Sequence, residues 1–267
     1  VTARVSPAWL ALREPADAAA RAADLVEPIR RRLAGNGPAL IHDLGTGTGS
    51  MGRWLAPRLP GPQHWIMYDR DPDLLDLART GMTGMTGITV ETRLRDITRL
   101  TVAELGGASL ITASALLDMF TADELDRVVH ICAGAGCPAL LTISVLGEVQ
   151  LTPPDPLDAE IVDAFNAHQR RTVDGRALLG PDAVDRTVDL FRRMGITVLR
   201  RPSPWLLRAE YSELIFEWFA GWVGAACEQR PELSGPVQAY SRRRLAELEA
   251  GRLTVVVPHC DLLAGCE

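Results

Sequence analysis

Ile41-His42-Asp43-Leu44-Gly45-Thr46-Gly47-Thr48-Gly49-Ser50 decides how this chain folds. The run from Ala39 to Asp43 has the length and composition of a short buried strand, and the glycines after it open a turn. Glycine accepts positive φ and carries no side chain to hold a ligand off, so Gly45, Gly47 and Gly49 make a loop that a ligand can approach closely. The helix expected beyond, to about Leu59, would offer free N–H groups and a positive dipole end to an anion. Strand, glycine turn and helix in this order open a doubly wound α/β sheet.

The neighbouring segments keep that rhythm. Strands are expected at His64–Tyr68, Ile88–Arg93, Ser109–Ala113 and Ala139–Val145, with helices at Pro72–Arg79 and Thr121 to about Ala133 between them. A helix from Pro181 to Met194, a strand from Ile196 to Arg200 and a last strand from Leu253 to Pro258 complete a Rossmann-like domain over 39–267. Residues 1–38 read as a helical segment, Ala-rich from Pro15 to Leu33 and interrupted near Pro28. Two stretches, 147–180 and 202–252, break the alternation and are expected as insertions.

Composition narrows the function. The chain has 267 residues and a net charge of −6, and all 28 of its basic residues are Arg. The clusters Arg30–Arg32, Arg192–Arg193 and Arg242–Arg244 fall in expected helices and read as solvated faces, so no nucleic-acid partner is expected. No apolar run reaches the ~18 residues of a membrane span, and Arg4 and Arg13 lead into no apolar leader, which points to the cytoplasm and to no membrane partner. Five cysteines without a C-x-x-C pair read as reduced thiols and give no metal template.

The glycine pattern by itself leaves two cofactors open. Gly47-Thr48-Gly49-Ser50-Met51-Gly52 also satisfies the dinucleotide fingerprint G-x-G-x-x-G, and Asp69 ends the next strand as that fingerprint requires. A nicotinamide-dependent oxidoreductase is therefore the alternative reading.

The stretch DLGTGTG at 43–49 resembles the first motif of class I S-adenosylmethionine-dependent methyltransferases, in which an acid precedes G-x-G-x-G. WIMYDRDPDLLDLA, Leu94-Arg95-Asp96-Ile97 and SLITASALLDMFTADELDRVV are similar to that family's later blocks, in the same order. The resemblance implies S-adenosyl-L-methionine as cofactor and an antiparallel last strand. It implies Asp43 near the cofactor's ammonium, Asp69 on both ribose hydroxyls and Asp96 beside the adenine. It further puts Gly45, Thr46, Gly47, Gly49, Arg70, Ile97 and Ser114 around the ligand. Asp71 before Pro72 reads as a helix N-cap instead, and Gly52 as a helix–strand packing glycine.

Methyl transfer is an in-line displacement, so alignment is the main task and a base is needed only if the acceptor must lose a proton. Asp118, after the fourth strand, and His168, in the first insertion, are the candidate catalytic residues. The two insertions and the N-terminal helices are expected to form a lid over a small-molecule acceptor. No N-P-P-[YF] tetrapeptide follows the fourth strand, where Ser114-Ala115-Leu116-Leu117 stands. Tyr211, Leu214, Ile215, Trp218, Phe219 and Trp222 share one helix face, which is expected either to bury within the chain, to form a homodimer seam, or to wall a flat acceptor, with Trp9 and Trp205 as further wall candidates. A catalytically silent cofactor-binding partner subunit is the reading from outside enzymes.

Overall fold

A computed structural model describes residues 5–266, which leaves Arg4 outside. Its centre is a seven-stranded sheet. β1 (Ala39–Leu44), β2 (Gln63–Asp69), β3 (Ile88–Leu94), β4 (Leu110–Ser114) and β5 (Ala139–Val145) are parallel, and they lie in the order β3-β2-β1-β4-β5. Strand order reverses between β1 and β4, which opens a crevice at their C-terminal ends.

Alternation along the strands feeds two cores. Ile41, Trp65 and Met67 pack with α2 (Val26–Leu33), α3 (Ser50–Leu55) and α4 (Pro72–Met82). Leu44, Ile66 and Tyr68 face the other way, toward α5 (Ala122–Gly134) and a later helix at Ala183–Arg193. Local chemistry sets the helix starts. Asp71 caps α4 by accepting from the Asp73 N–H at 3.0 Å, with Pro72 at the first helical position. Thr121 and Glu124 close a capping box on α5.

The N-terminal helix differs from the expected one. α1 runs from Pro7 to Ala20 straight through Pro15, and the break comes at Arg21-Ala22, not near Pro28. Pro28 sits in the first turn of α2, where backbone N–H groups have no helical partner to lose.

The end of the chain also corrects the expectation. Beyond β6 (Gln150–Thr152), α6 (Asp158–Gln169), the hairpin β7 (Thr172–Val173) and β8 (Arg176–Ala177), and α7 (Ala183–Arg193) comes β9 (Val198–Pro202), an edge of the main sheet. Then follow β10 (Trp205–Leu207), α8 (Ser212–Gln229), α9 (Ser234–Glu249), β11 (Thr254–Val257) and β12 (His259–Ala264). The Val-rich run after Leu253 is β11, and it pairs with β10 and β6 in a separate three-stranded antiparallel sheet. The antiparallel strand of the main sheet is β12, inserted between β5 and β9. β11 alternates in burial because one face is covered, whereas β12 is buried throughout and carries His259 and Asp261 inward. Those polar residues hid it from hydropathy.

A third core joins α1, α6, α8, α9 and the small sheet. Leu214, Ile215, Phe219 and Trp222 of α8 are buried in it. The apolar face of 211–222 is thus used within the chain, with Tyr211 and Trp218 partly buried beside it. Among the described residues no helix is long and apolar enough to cross a membrane.

Candidate active site

β1 leads into a loop in which Gly45, Gly47 and Gly49 have φ of +66°, +56° and +86°. The loop is stitched to the end of β2: the Thr46 N–H donates to the Tyr68 carbonyl at 2.9 Å, and the Gly47 N–H donates to Asp69 Oδ2 at 2.9 Å. Asp69 Oδ1 accepts from the Asp71 N–H at 3.0 Å, so each carboxylate oxygen keeps one lone pair for another donor. A Cβ on Gly47 would lie 3.3 Å from Leu10 Cδ1, so α1 closes directly over the loop.

Asp43 lies at the root of this loop and is buried. Thr46 Oγ1 donates to its Oδ2 at 2.5 Å and Thr112 Oγ1 to its Oδ1 at 2.6 Å. Burial pushes its carboxyl up to about 6, against the pull of those two hydroxyls. Behind it Arg21, also buried, donates from Nη2 to Ser50 Oγ and Ser114 Oγ, both at 3.2 Å. Thr142 Oγ1 donates to Ser114 Oγ as well, at 3.1 Å. With both acceptor positions of Ser114 filled, its own proton is free to be donated elsewhere.

A cavity of about 840 Å³ runs from this loop across the C-terminal ends of β1, β4 and β5. Of the residues expected around a cofactor, Asp43, Gly45, Thr46, Gly47, Asp69, Arg70, Asp96, Ile97 and Ser114 all line it. Gly49 does not: a Cβ there would meet Ala78 Cα at 3.1 Å, so this glycine lets α3 pack on α4. Gly52 serves the same packing, since a Cβ would strike Met82. Asp96 reaches the rim while its Oδ1 accepts from the Thr98 N–H at 3.0 Å and from Thr98 Oγ1 at 2.7 Å.

The two candidate catalytic residues part company. Asp118 lines the cavity, and burial raises its carboxyl above the usual range, with Arg13 opposing. His168 does not line it. Its Nε2 lies 3.0 Å from Glu228 Oε2 and its Nδ1 3.0 Å from Arg171 Nη1. Val162, Phe165, Asn166 and Gln169 form the inward face of α6 at helical spacing, and His168 falls about 100° round from Gln169.

Trp9, Trp205, Trp218 and Trp222, the wall candidates, all line the cavity, whereas sequence reasoning missed His259. His259 is 4% exposed and lines it, with Nδ1 lacking any partner. Burial, with Arg13 adding to it, lowers this imidazole to about 4, so it is neutral near pH 7. Its ring sits 5.2 Å from that of Trp205, whose Nε1 donates to Asp17 Oδ1 at 2.9 Å. Arg13 grips Asp17 with Nε and Nη2 at 3.0 and 3.1 Å and lies 5.2 Å over the Trp205 ring. The backbone is strained nearby. Ile143, a β-branched residue, has φ +54°, and its N–H is held by Asp261 Oδ1 at 2.7 Å. The arginine–aspartate pair at 13 and 17 had a readable i, i+4 spacing; no local pattern marks His259 or Asp261.

Residues 41–136 match the family model described as a methyltransferase domain. The matched segment runs from β1 through α5 and carries the glycine loop, so this part of the chain is a methyltransferase domain. Its cofactor is S-adenosylmethionine, and the nicotinamide reading falls with that assignment. The fold of this methyltransferase is shared with a crystal structure described as a candidate methyltransferase from Bacillus halodurans C-125. The two are 17% identical, the alignment covers 91% of this chain and 98% of that one, and the TM-score is 0.53. YcgJ protein from Bacillus subtilis is similar at 11% identity, over 91% and 98% of the two chains, with a TM-score of 0.50. Among curated proteins none is similar enough in sequence to count as a relative.

Proposed function

We propose that this methyltransferase modifies a small-molecule acceptor, at oxygen or nitrogen, in the inner half of the cavity. S-adenosylmethionine supplies the electrophilic methyl carbon. Asp69 receives the ribose hydroxyls on its two remaining lone pairs, and Asp43 faces the ammonium. Ser114 donates its free proton to the polar end of the cofactor, while Asp96 and Ile97 border the adenine. The residues fit this group because the loop offers a cradle without side chains and two carboxylates with unfilled acceptor positions.

The observation that carries the acceptor half is enclosure. α1 contributes Trp9 and Arg13 to the cavity, α6 contributes Phe165 and Asn166, and α8 contributes Trp218 and Trp222. We read residues 1–38 and the insertions 147–180 and 202–252 as this lid, resting on the domain 39–267. A lid of this kind excludes water and orders the acceptor against the methyl group. Asp118 holds the acceptor by hydrogen bonding. The acid net charge argues against a nucleic-acid substrate, and the free cysteines suit the cytoplasm.

Titration of S-adenosylhomocysteine into the protein by calorimetry tests the cofactor half. One site per chain is expected, and Asp69→Ala should weaken it by about 2–3 kcal/mol, the scale of hydrogen bonds to a charged group. Unchanged affinity in that variant would remove Asp69 from the site.

A further inference from the structure

Among the described residues, eight Asp and Glu side chains and four arginines belong to the lining of the cavity, an excess of acid. Three of the arginines are already paired: Arg13 with Asp17, Arg95 with Glu104 and Arg176 with Glu124. The fourth, Arg70, follows Asp69 at the cofactor end. Asp43, Asp69 and Asp96 are given to the cofactor. Asp118 and Glu148 are left for the acceptor, and neither makes an ion pair or a side-chain hydrogen bond with a described residue. Glu148 adjoins Gly147, whose carbonyl accepts from Asn166 Nδ2 of α6 at 2.6 Å.

Asp118 is the deeper of the two. Glu148 is exposed, whereas Asp118 is half-buried in the turn between buried Leu117 and buried Phe120. Burial raises its carboxyl, and only its own N–H and the charge of Arg13 oppose that rise. Yet neither of its oxygens is among the partnerless side-chain atoms sealed from water. A carboxylate that feels burial, has no partner and keeps open surface faces an internal space, and the space Asp118 lines is the cavity. The walls there are aromatic: Trp9, Phe165, Trp205, Trp218 and Trp222. One of these rings already holds a cation, since Arg13 lies 5.2 Å over Trp205. An open carboxylate among aromatic faces suits an organic cation, because charge meets charge and the rings attract an ammonium while covering its carbon frame. An anion would add like charge with no free arginine to answer it, and a neutral alcohol would leave the charge of Asp118 unmatched.

We propose that the acceptor is an organic amine on an apolar frame, bound as its ammonium form with Asp118 as the counter-ion, and methylated at that nitrogen. This rests on the methyltransferase reading above and adds the substrate class and the methylated atom to it. The ammonium gives one proton to the Asp118 carboxylate, which frees the nitrogen lone pair. That lone pair forms the N–C bond as the S–C bond breaks, with the S–C electron pair staying on sulfur. The product leaves as a methylated ammonium, and Asp118 gives its proton to water.

The test uses protein saturated with S-adenosylhomocysteine, so that the acids of the cofactor end are occupied. Three probes share an indole ring and a two-carbon chain: tryptamine, tryptophol and indole-3-propionate, which end in an ammonium, a hydroxyl and a carboxylate. Calorimetry should give one tryptamine site per chain, at least tenfold tighter than tryptophol, with indole-3-propionate the weakest. Asp118→Asn keeps the shape and removes the charge. It should bring tryptamine and tryptophol within threefold of each other and leave S-adenosylhomocysteine affinity within threefold. The proposal is overturned if tryptophol or indole-3-propionate binds the unaltered protein as tightly as tryptamine, or if tryptamine binding does not saturate. It is also overturned if the preference for tryptamine survives in Asp118→Asn. Should that variant not fold, the ranking of the three probes on the unaltered protein decides alone. Failure of S-adenosylhomocysteine itself to bind would instead bring down the cofactor reading, so the two failures are distinct.

Discussion

At the glycine-loop end of the cavity, Asp43, Gly45, Thr46 and Gly47 come from five consecutive positions, and Asp69 joins them from the adjacent strand. At the far end Arg13, Asp118, Asn166, Trp222 and His259 come from α1, the turn after β4, α6, α8 and β12. The first end is made of backbone: positive φ, N–H groups tied to the end of β2, and acids pinned by hydroxyls and amides. The second is made of side chains delivered by elements far apart in sequence. Backbone geometry is dictated locally by residue type, whereas convergence of side chains depends on packing. This difference predicts that one end fails through loop substitutions and the other through single polar atoms.

The comparison breaks most severely at Gly47. Gly47→Val puts a β-branched residue at φ +56°, with its Cβ 3.3 Å from Leu10, in the space a ligand would use. Binding of S-adenosylhomocysteine should be lost, more than a hundredfold weaker, while circular dichroism reports a folded chain. Normal binding by a folded Gly47→Val protein would show that the loop is not the cofactor cradle.

A smaller effect sharpens the role of Asp43. Its folded value of about 6 lies above the 3.8 of an unperturbed carboxyl, so the empty protein holds this proton more tightly than the unfolded chain does. Its stabilising contribution is therefore complete below about 4 and is lost as pH rises through about 6. A neighbouring ammonium favours the ionised form, so S-adenosylhomocysteine affinity should rise about tenfold between pH 5 and 7. Asp43→Asn should flatten that rise. A profile equally steep in both proteins would move the ammonium away from Asp43.

The same contrast explains what could be read from sequence. β1, β2 and the loop were legible because Ile41 to Ser50 states its own geometry, and Asp71-Pro72 announces a helix start. β12 was not, because His259 and Asp261 look wrong for a buried strand until their distant partners are known. Asp261 takes N–H groups from Ala22 and Ile143 and the hydroxyl of Ser203, from three separate parts of the chain. The polar residues of α6 gave no sign of which face turned inward. His168 was favoured for its chemistry, and it points to Glu228. The aromatic face of α8 was seen correctly, while its neighbour, the third core, lay beyond local pattern.

In the proposed function the two ends of the cavity divide the work, one holding the cofactor and the other the acceptor. The most direct measurement compares Asp118→Asn with His168→Ala for S-adenosylhomocysteine affinity by calorimetry and for methyl transfer to the best small-molecule acceptor found. Both variants should keep cofactor affinity within threefold, well under the 1.4 kcal/mol of a tenfold change. Transfer should fall at least tenfold in Asp118→Asn and stay unchanged in His168→Ala. Loss of cofactor affinity in Asp118→Asn, or full activity in it, would contradict the division.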